Sequence, residues 1–290
     1  MSEIPSITLN NGYELPQIGL GVYKTSGDTQ MKQAVKAAIA AGYRLFDTAS
    51  AYKNEEYMGS ALSSCGIPRN ELFITTKVWN NAQRLGDVAR AFERSLDRLK
   101  LDYVDLYLIH WPVPGCYPST WKELERIHES GRARSIGVSN FEIPHLEQLF
   151  QISGVIPAVN QIECHPLWNR EPLIQYCRSR GIAVQAYAPL ARGAYADREM
   201  LAVIGAKYGK TPTQIGLRWL VQQGLSIIPK SVHPERIQSN IDILDFELTD
   251  TEMKTIATMD EQLRTAGIPE DLAGIRSEER RVGKECKVQC

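Results

Sequence analysis

Short β-rich runs alternate with longer amphipathic stretches along most of this chain, and the alternation breaks only in the last quarter. Eight runs read as strands: 18–21 (IGLG), 44–48 (RLFDT), 72–78 (LFITTKV), 104–110 (VDLYLIH), 133–140 (ARSIGVSN), 158–163 (AVNQIE), 183–189 (AVQAYAP) and 225–229 (LSIIP). Between them lie helical patterns, clearest at 28–43, 85–101, 119–133 and 211–224. Several have legible ends: Asp28 and Thr211 as N-caps, Pro212 just inside a start, and Gly42, Gly131 and Gly224 at stops. Strand followed by helix, eight times over, predicts parallel βαβ units. Asn10-Asn11-Gly12, between ITL and YELP, adds an N-terminal hairpin placed to plug one end.

The fold class expected is α/β, a (β/α)8 TIM barrel with an N-terminal β-hairpin. The length of 290 residues suits it, because such barrels form one core at roughly 250 residues. An open dinucleotide-binding sheet would need a phosphate fingerprint after its first strand, and Gly19-Leu20-Gly21-Val22-Tyr23-Lys24 lacks the third glycine and leads to no immediate helix. Residues 1–275 are read as a single domain. The remainder, 276–290 (RSEERRVGKECKVQC), lacks the preceding pattern and resembles the translation of a sequencing adapter; it is expected to be an artefactual or disordered tail. Without it the net charge would move from −1 to −3.

Composition narrows the function. At 43% hydrophobic and 23% charged the chain can bury a large core. With 33 Lys+Arg against 34 Asp+Glu it carries no global field for nucleic acid or an anionic membrane. The N-terminus has no signal-like pattern and no long apolar run follows, so a cytoplasmic protein is expected. The cysteines, Cys65, Cys116, Cys164, Cys177, Cys286 and Cys290, form no C-x-x-C pair or zinc-like cluster, and read as structural thiols; no metal is expected.

Barrel chemistry sits at the C-terminal ends of strands. There, Asp47 ends RLFD, Lys77 ends LFITTK, His110 ends VDLYLIH, and Tyr52 follows Asp47 closely. Each has an ordinary explanation: Asp47 capping the turn before Asn54, Lys77 reaching to solvent, His110 as a core histidine, Tyr52 as packing. Together a carboxylate, an ammonium, a phenol and an imidazole on neighbouring strands make a proton-transfer set. A phenol is a poor acid at neutral pH, and a nearby cation is expected to lower its pKa.

These residues carry a resemblance to the aldo-keto reductases from about Ser6 to Asp260. GYRLFDTASAYKNEEYMG is similar to that family's first signature, VDLYLIHWP to its central strand, and IIPKSVHPERIQSN to its cofactor-phosphate signature. The short segment Pro112 to Lys122 most resembles compact bacterial and protozoan members, such as diketogluconate reductases and prostaglandin F synthase-like enzymes. The resemblance implies NADPH-dependent reduction of aldehydes and ketones, with Tyr52 as general acid, Lys77 as its partner, Asp47 anchoring Lys77, and His110 orienting the carbonyl. It assigns Ser139, Asn140 and Gln161 to the nicotinamide carboxamide and Tyr187 to stacking on the ring. From the residues alone, Ser139-Asn140 reads equally as a turn and Tyr187 as core. Gly21, Lys230, Ser231, Arg236 and Asn240 complete the cofactor set, with Lys230 and Arg236 at a helix entry suited to a 2′-phosphate.

Tyr23, Trp79 and Trp111 are expected to line the substrate mouth; Tyr23 stands where the family often has tryptophan. GIPEDLAGI occupies the place of the family's C-terminal substrate loop. The resemblance also implies a monomer acting on a small-molecule carbonyl. Two other functions stand beside it: a non-catalytic NADPH-binding regulatory barrel, and a barrel hydrolase or isomerase using Glu163 and His165.

Overall fold

In the computed structural model, which describes residues 4–273, the eight apolar runs become eight neighbouring parallel strands. The chain opens with an antiparallel hairpin, β1 (Ser6–Thr8) and β2 (Glu14–Pro16). The sheet follows in chain order: β3 (Gly19–Gly21), β4 (Leu45–Asp47), β5 (Phe73–Val78), β6 (Val104–Ile109), β7 (Ala133–Ser139), β8 (Val159–Glu163), β9 (Ala183–Tyr187) and β10 (Ser226–Ile227). Parallel bridges Ile18 to Ile227 and Gly21 to Lys230 join the last strand to the first, so the sheet closes. The (β/α)8 barrel with its hairpin is thus as the alternation predicts.

Strand alternation divides two cores. Outward residues such as Phe46, Ile74, Tyr107, Val138 and Ile162 pack against the surrounding helices, while Leu45, Phe73, Leu106, Leu108, Val159 and Ile228 form a separate cluster. The hairpin adds Leu9 and Leu15 to this second cluster. Asn10 donates to Pro157 O and Asn11 to Arg134 O, both 3.1 Å away, which ties the turn to the strand starts of β8 and β7. The hairpin therefore closes the end of the barrel where strands begin.

Two details differ from the sequence reading. Gly27, at φ 83°, holds the N-cap position, and Asp28 is already helical, paired with Lys32 at 2.7 Å. A glycine takes this left-handed conformation without the steric cost of a Cβ. The stretch 85–101 is broken at Gly86, φ 64°, into helices Asn80–Leu85 and Val88–Leu99. Thr211 is an N-cap as expected, in a reciprocal arrangement with Gln214. The expected tail, 276–290, lies outside the described residues, as do the last two residues of GIPEDLAGI, 274 and 275.

Candidate active site

Inside the barrel, side chains become polar toward the ends where strands finish. Asp47 pairs in register with Thr75, and Lys77 lies two residues further along β5, so both project to the interior from adjacent strands. Lys77 is wholly buried rather than reaching solvent. Its Nζ donates to Asp47 Oδ1 at 2.6 Å, to Thr48 O at 2.9 Å and to Tyr52 Oη at 3.5 Å. An ammonium has three N–H groups, and these acceptors use all of them. Burial draws the Lys77 pKa down, while the Asp47 carboxylate opposes that fall.

Tyr52 is placed by the loop after β4. Ala49 O accepts from Tyr52 N at 3.0 Å, and Ser50 Oγ donates to Lys77 O at 2.9 Å. Asn54, buried, donates to Val22 O and Thr25 O and accepts from Thr48 Oγ1 at 2.8 Å. The turn is thus fastened by Thr48, leaving Asp47 free for Lys77 and for Gln161 Nε2, which donates to its other oxygen at 2.7 Å.

The phenol itself corrects one expectation. Burial, and after it the Asp47 charge, holds Tyr52 well above the ordinary tyrosine value, so the resting phenol keeps its proton despite the lysine. His110 flanks it with ring centroids 5.5 Å apart, and Trp79 flanks His110 at 5.0 Å. Burial, aided by the Lys77 charge, holds His110 well below the usual histidine value, so its ring is neutral. Nδ1 of His110 is buried without a hydrogen-bond partner, the kind of orphan common at reactive sites.

These side chains open into a cavity of about 1650 Å3 lined by every residue that the resemblance assigns to catalysis, cofactor or substrate except Lys77. Tyr23, exposed, packs its ring 5.0 Å from Tyr52, and Trp111 is nearly buried. Asn140 has the geometry of its turn reading, and its side chain reaches into the site. It is a left-handed turn residue at φ 63°, and its side chain donates to His110 O and accepts from Tyr187 Oη at 2.7 Å. Ser139 Oγ donates to Gln161 O, and Gln161 Nε2 also donates to Gln185 Oε1. The amide donors of Asn140 and Gln161 are therefore engaged within the protein, and a carboxamide would have to exchange with these bonds or use Gln161 Oε1.

A second group of polar residues suits a phosphate-bearing cofactor. Lys230 and Arg236 have no carboxylate partner among the described residues, and partial desolvation lowers Lys230. They line the same cavity as Ser231 and Asn240, beside the start of the helix Pro234–Ile241. Asn240 is buried and makes no side-chain hydrogen bond among the described residues. Two cations with no carboxylate partner among the described residues, together with the Asn240 side-chain amide, fit an anionic dinucleotide.

Other cavity residues escaped the sequence reading. The loop after β9 holds Ala188, Ala191 and Arg192 at φ 45–53°, strained for residues with a Cβ; composition gives no sign of this. Glu163 and His165 are adjacent, 3.3 Å apart, but Glu163 is spent on residues 264–266, and no metal-like cluster occurs among the described residues. The hydrolase reading has no site here.

Residues 17–261 match the Aldo/keto reductase family. The chain is 45% identical over 267 residues to glyoxal reductase of Bacillus subtilis, covering 92% of this chain and 97% of that one. It is 46% identical over 275 residues to methylglyoxal reductase DkgA of Yersinia pestis, covering 93% and 98%. Its fold superposes on a Bombyx mori aldo-keto reductase solved in complex with NADP, with TM-score 0.86, 38% identity, and 92% and 96% coverage. An Asp–Lys–Tyr–His cluster at the strand ends of this barrel and a family match across all eight of its strands agree: the chain belongs to the aldo/keto reductase family.

Proposed function

We propose that this protein reduces small aldehydes and ketones to alcohols with NADPH, Tyr52 supplying the proton. The observation that carries the reading is the Lys77 ammonium, buried and shared between Asp47 and the Tyr52 hydroxyl. A nicotinamide dinucleotide, when bound, supplies the hydride. It would be held by Gly21, Ser139, Asn140, Gln161 and Tyr187 at one end and by Lys230, Ser231, Arg236 and Asn240 at the other.

The protein's own task is the proton. Tyr52, protonated at rest, donates to the carbonyl oxygen as charge develops there, so no free alkoxide forms. The resulting phenolate lies beside Lys77, whose cation stabilises it, and Asp47 keeps that cation in place. Neutral His110 offers the oxygen a hydrogen bond without competing for the proton. Tyr23, Trp79 and Trp111 wall the substrate, and the names of the bacterial relatives favour small dicarbonyls such as glyoxal and methylglyoxal.

The test is loss of nicotinamide absorbance with these substrates, comparing wild type with Tyr52→Phe. The variant is expected to lose at least about 100-fold in kcat, the scale of general acid catalysis, while NADPH binding persists. Tight NADPH binding with no turnover by the wild type would instead favour a regulatory barrel. The balanced charge supports a cytoplasmic protein engaging neither membrane nor nucleic acid, and no helix among the described residues is long and apolar enough to span a bilayer. We also read residues 1–275 as one domain and the protein as a monomer.

A further inference from the structure

Glu163 ends β8 on the inward side, yet takes no part in the Tyr52 cluster. It is buried, and Oε1 accepts from Thr265 N at 2.6 Å, Thr265 Oγ1 at 2.6 Å and Ala266 N at 2.9 Å, with His165 Nε2 at 3.3 Å. Arg264 Nε lies 3.6 Å from its other oxygen. Burial by itself would raise this carboxyl, but these hydrogen bonds outweigh it and hold Glu163 below its ordinary range. One barrel carboxylate thus grips three consecutive residues of the chain's late segment.

That segment goes on to form part of the cavity wall, from Ala266 to Asp271. Its far end is fastened differently. Asp271 accepts from Arg84 Nη1 at 2.5 Å and from Asn80 Nδ2 at 3.3 Å, but Arg84 and Asp271 are 38% and 42% exposed. Exposed pairs of this kind contribute little and weaken with salt. The inner fastening is of another order, because a buried carboxylate left without its donors is strongly disfavoured. Arg264 extends the grip to the substrate wall: its guanidinium lies 5.3 Å from the ring centroids of both Trp111 and Trp168.

We propose that Glu163 is a positioning residue for substrate selection, fixing residues 264–271 along the cavity and, through Arg264, the Trp111 indole. It acts without touching substrate, and the Arg84–Asp271 contact only trims the outer end. The inference rests on the reductase reading, since it concerns the wall of that same site.

The test compares Glu163→Ala, Glu163→Gln and Asp271→Asn. Glutamine retains an oxygen able to accept from the same donors, so it should restore what alanine loses. Glu163→Ala is expected to raise KM for methylglyoxal about tenfold or more, the scale of a lost charge-assisted hydrogen bond, with kcat changed far less and NADPH affinity retained. In the nucleotide-free protein it should also speed amide hydrogen exchange across residues 264–271. Asp271→Asn should change KM about twofold at low salt and not at high salt. Unchanged KM and exchange in Glu163→Ala, or equal loss of kcat, KM and NADPH binding in both Glu163 variants, overturns the proposal.

Should the alanine variant fail to fold, Thr265→Val removes one donor alone; a higher KM supports the clamp and an unchanged KM refutes it. A wild type that oxidises no NADPH with any carbonyl defeats the reductase reading instead. The exchange comparison, made without nucleotide, then still decides whether Glu163 holds the segment.

Discussion

At the residue scale the site works by moving two titratable groups further apart, a histidine downward and a phenol upward. Burial and the Lys77 charge push His110 below 6.5, and burial with the Asp47 charge pushes Tyr52 above 10.0. Between those limits neither changes state, so kcat for carbonyl reduction should stay flat from about pH 6.5 to about pH 9. A limb falling on the acid side with a midpoint near 6.5 would show a histidine that titrates normally. Cofactor choice rests on single side chains as well. Arg236 is exposed and free of carboxylate partners, so Arg236→Ala should weaken NADPH about tenfold, the scale of one charge-assisted contact, and NADH little. Equal losses for both nucleotides, measured by fluorescence titration, would remove Arg236 from 2′-phosphate recognition. Asp47, Lys77, His110 and Tyr52 are legible in the chain because polar residues terminate apolar runs there. Glu163 is not, because its partners lie 102 and 103 residues away and no local pattern joins them.

At the element scale all eight strands are legible, since continuous apolar runs bounded by turns mark strands buried on both faces. Their ends are less so: the run 225–229 pairs only through Ser226–Ile227, because barrel closure there passes to single bridges at Ile18 and Gly21. Helix starts depend on one backbone angle, which is why Gly27 displaces Asp28 as the cap while Thr211 keeps its role. The helix Asp250–Ala257 illustrates a cap with a measurable charge. Thr249 and Glu252 bond reciprocally, and Glu252 also accepts from Lys207 Nζ at 2.8 Å and Tyr208 Oη at 2.6 Å. Burial would raise Glu252, but the bonds from Lys207, Tyr208 and Thr249 prevail and bring it from 4.5 to about 2. A depressed carboxylate stabilises the fold above its unfolded pKa, and that contribution fades as pH falls through the folded one. Glu252→Gln should therefore cost about 1 kcal/mol at neutral pH, typical of a damaged cap. The gap in unfolding free energy between variant and wild type should narrow from about pH 4.5 toward about pH 2; a gap independent of pH would show that the charge contributes nothing.

At the scale of the whole molecule, stability and chemistry occupy opposite ends of one barrel, connected by a polar line along its interior. Asp47 accepts from Gln161, Gln161 donates to Gln185, Gln185 donates to Ser226 at 3.0 Å, and Ser226 donates to Pro16 O at 3.0 Å. The catalytic carboxylate is thereby linked to the second strand of the hairpin, and the apolar cluster that holds the hairpin's Leu9 and Leu15 also takes in the cavity-lining Ile228 and Tyr187. Leu15 is fully buried there, among Leu9, Leu45, Phe73 and Leu106. Leu15→Ala removes packing from this plug and leaves a cavity, a loss of about 2–5 kcal/mol. In a domain of this size that corresponds to a fall in Tm of roughly 5–15 °C. If the two ends are mechanically separate, kcat and KM measured well below the lowered Tm should match wild type, as expected where the strand-start face of a barrel serves stability. If kcat falls together with Tm, the line from Ser226 to Asp47 transmits the disturbance, and Gln185→Leu, which cuts that line without opening the plug, should then reproduce the kinetic loss with a smaller change in Tm.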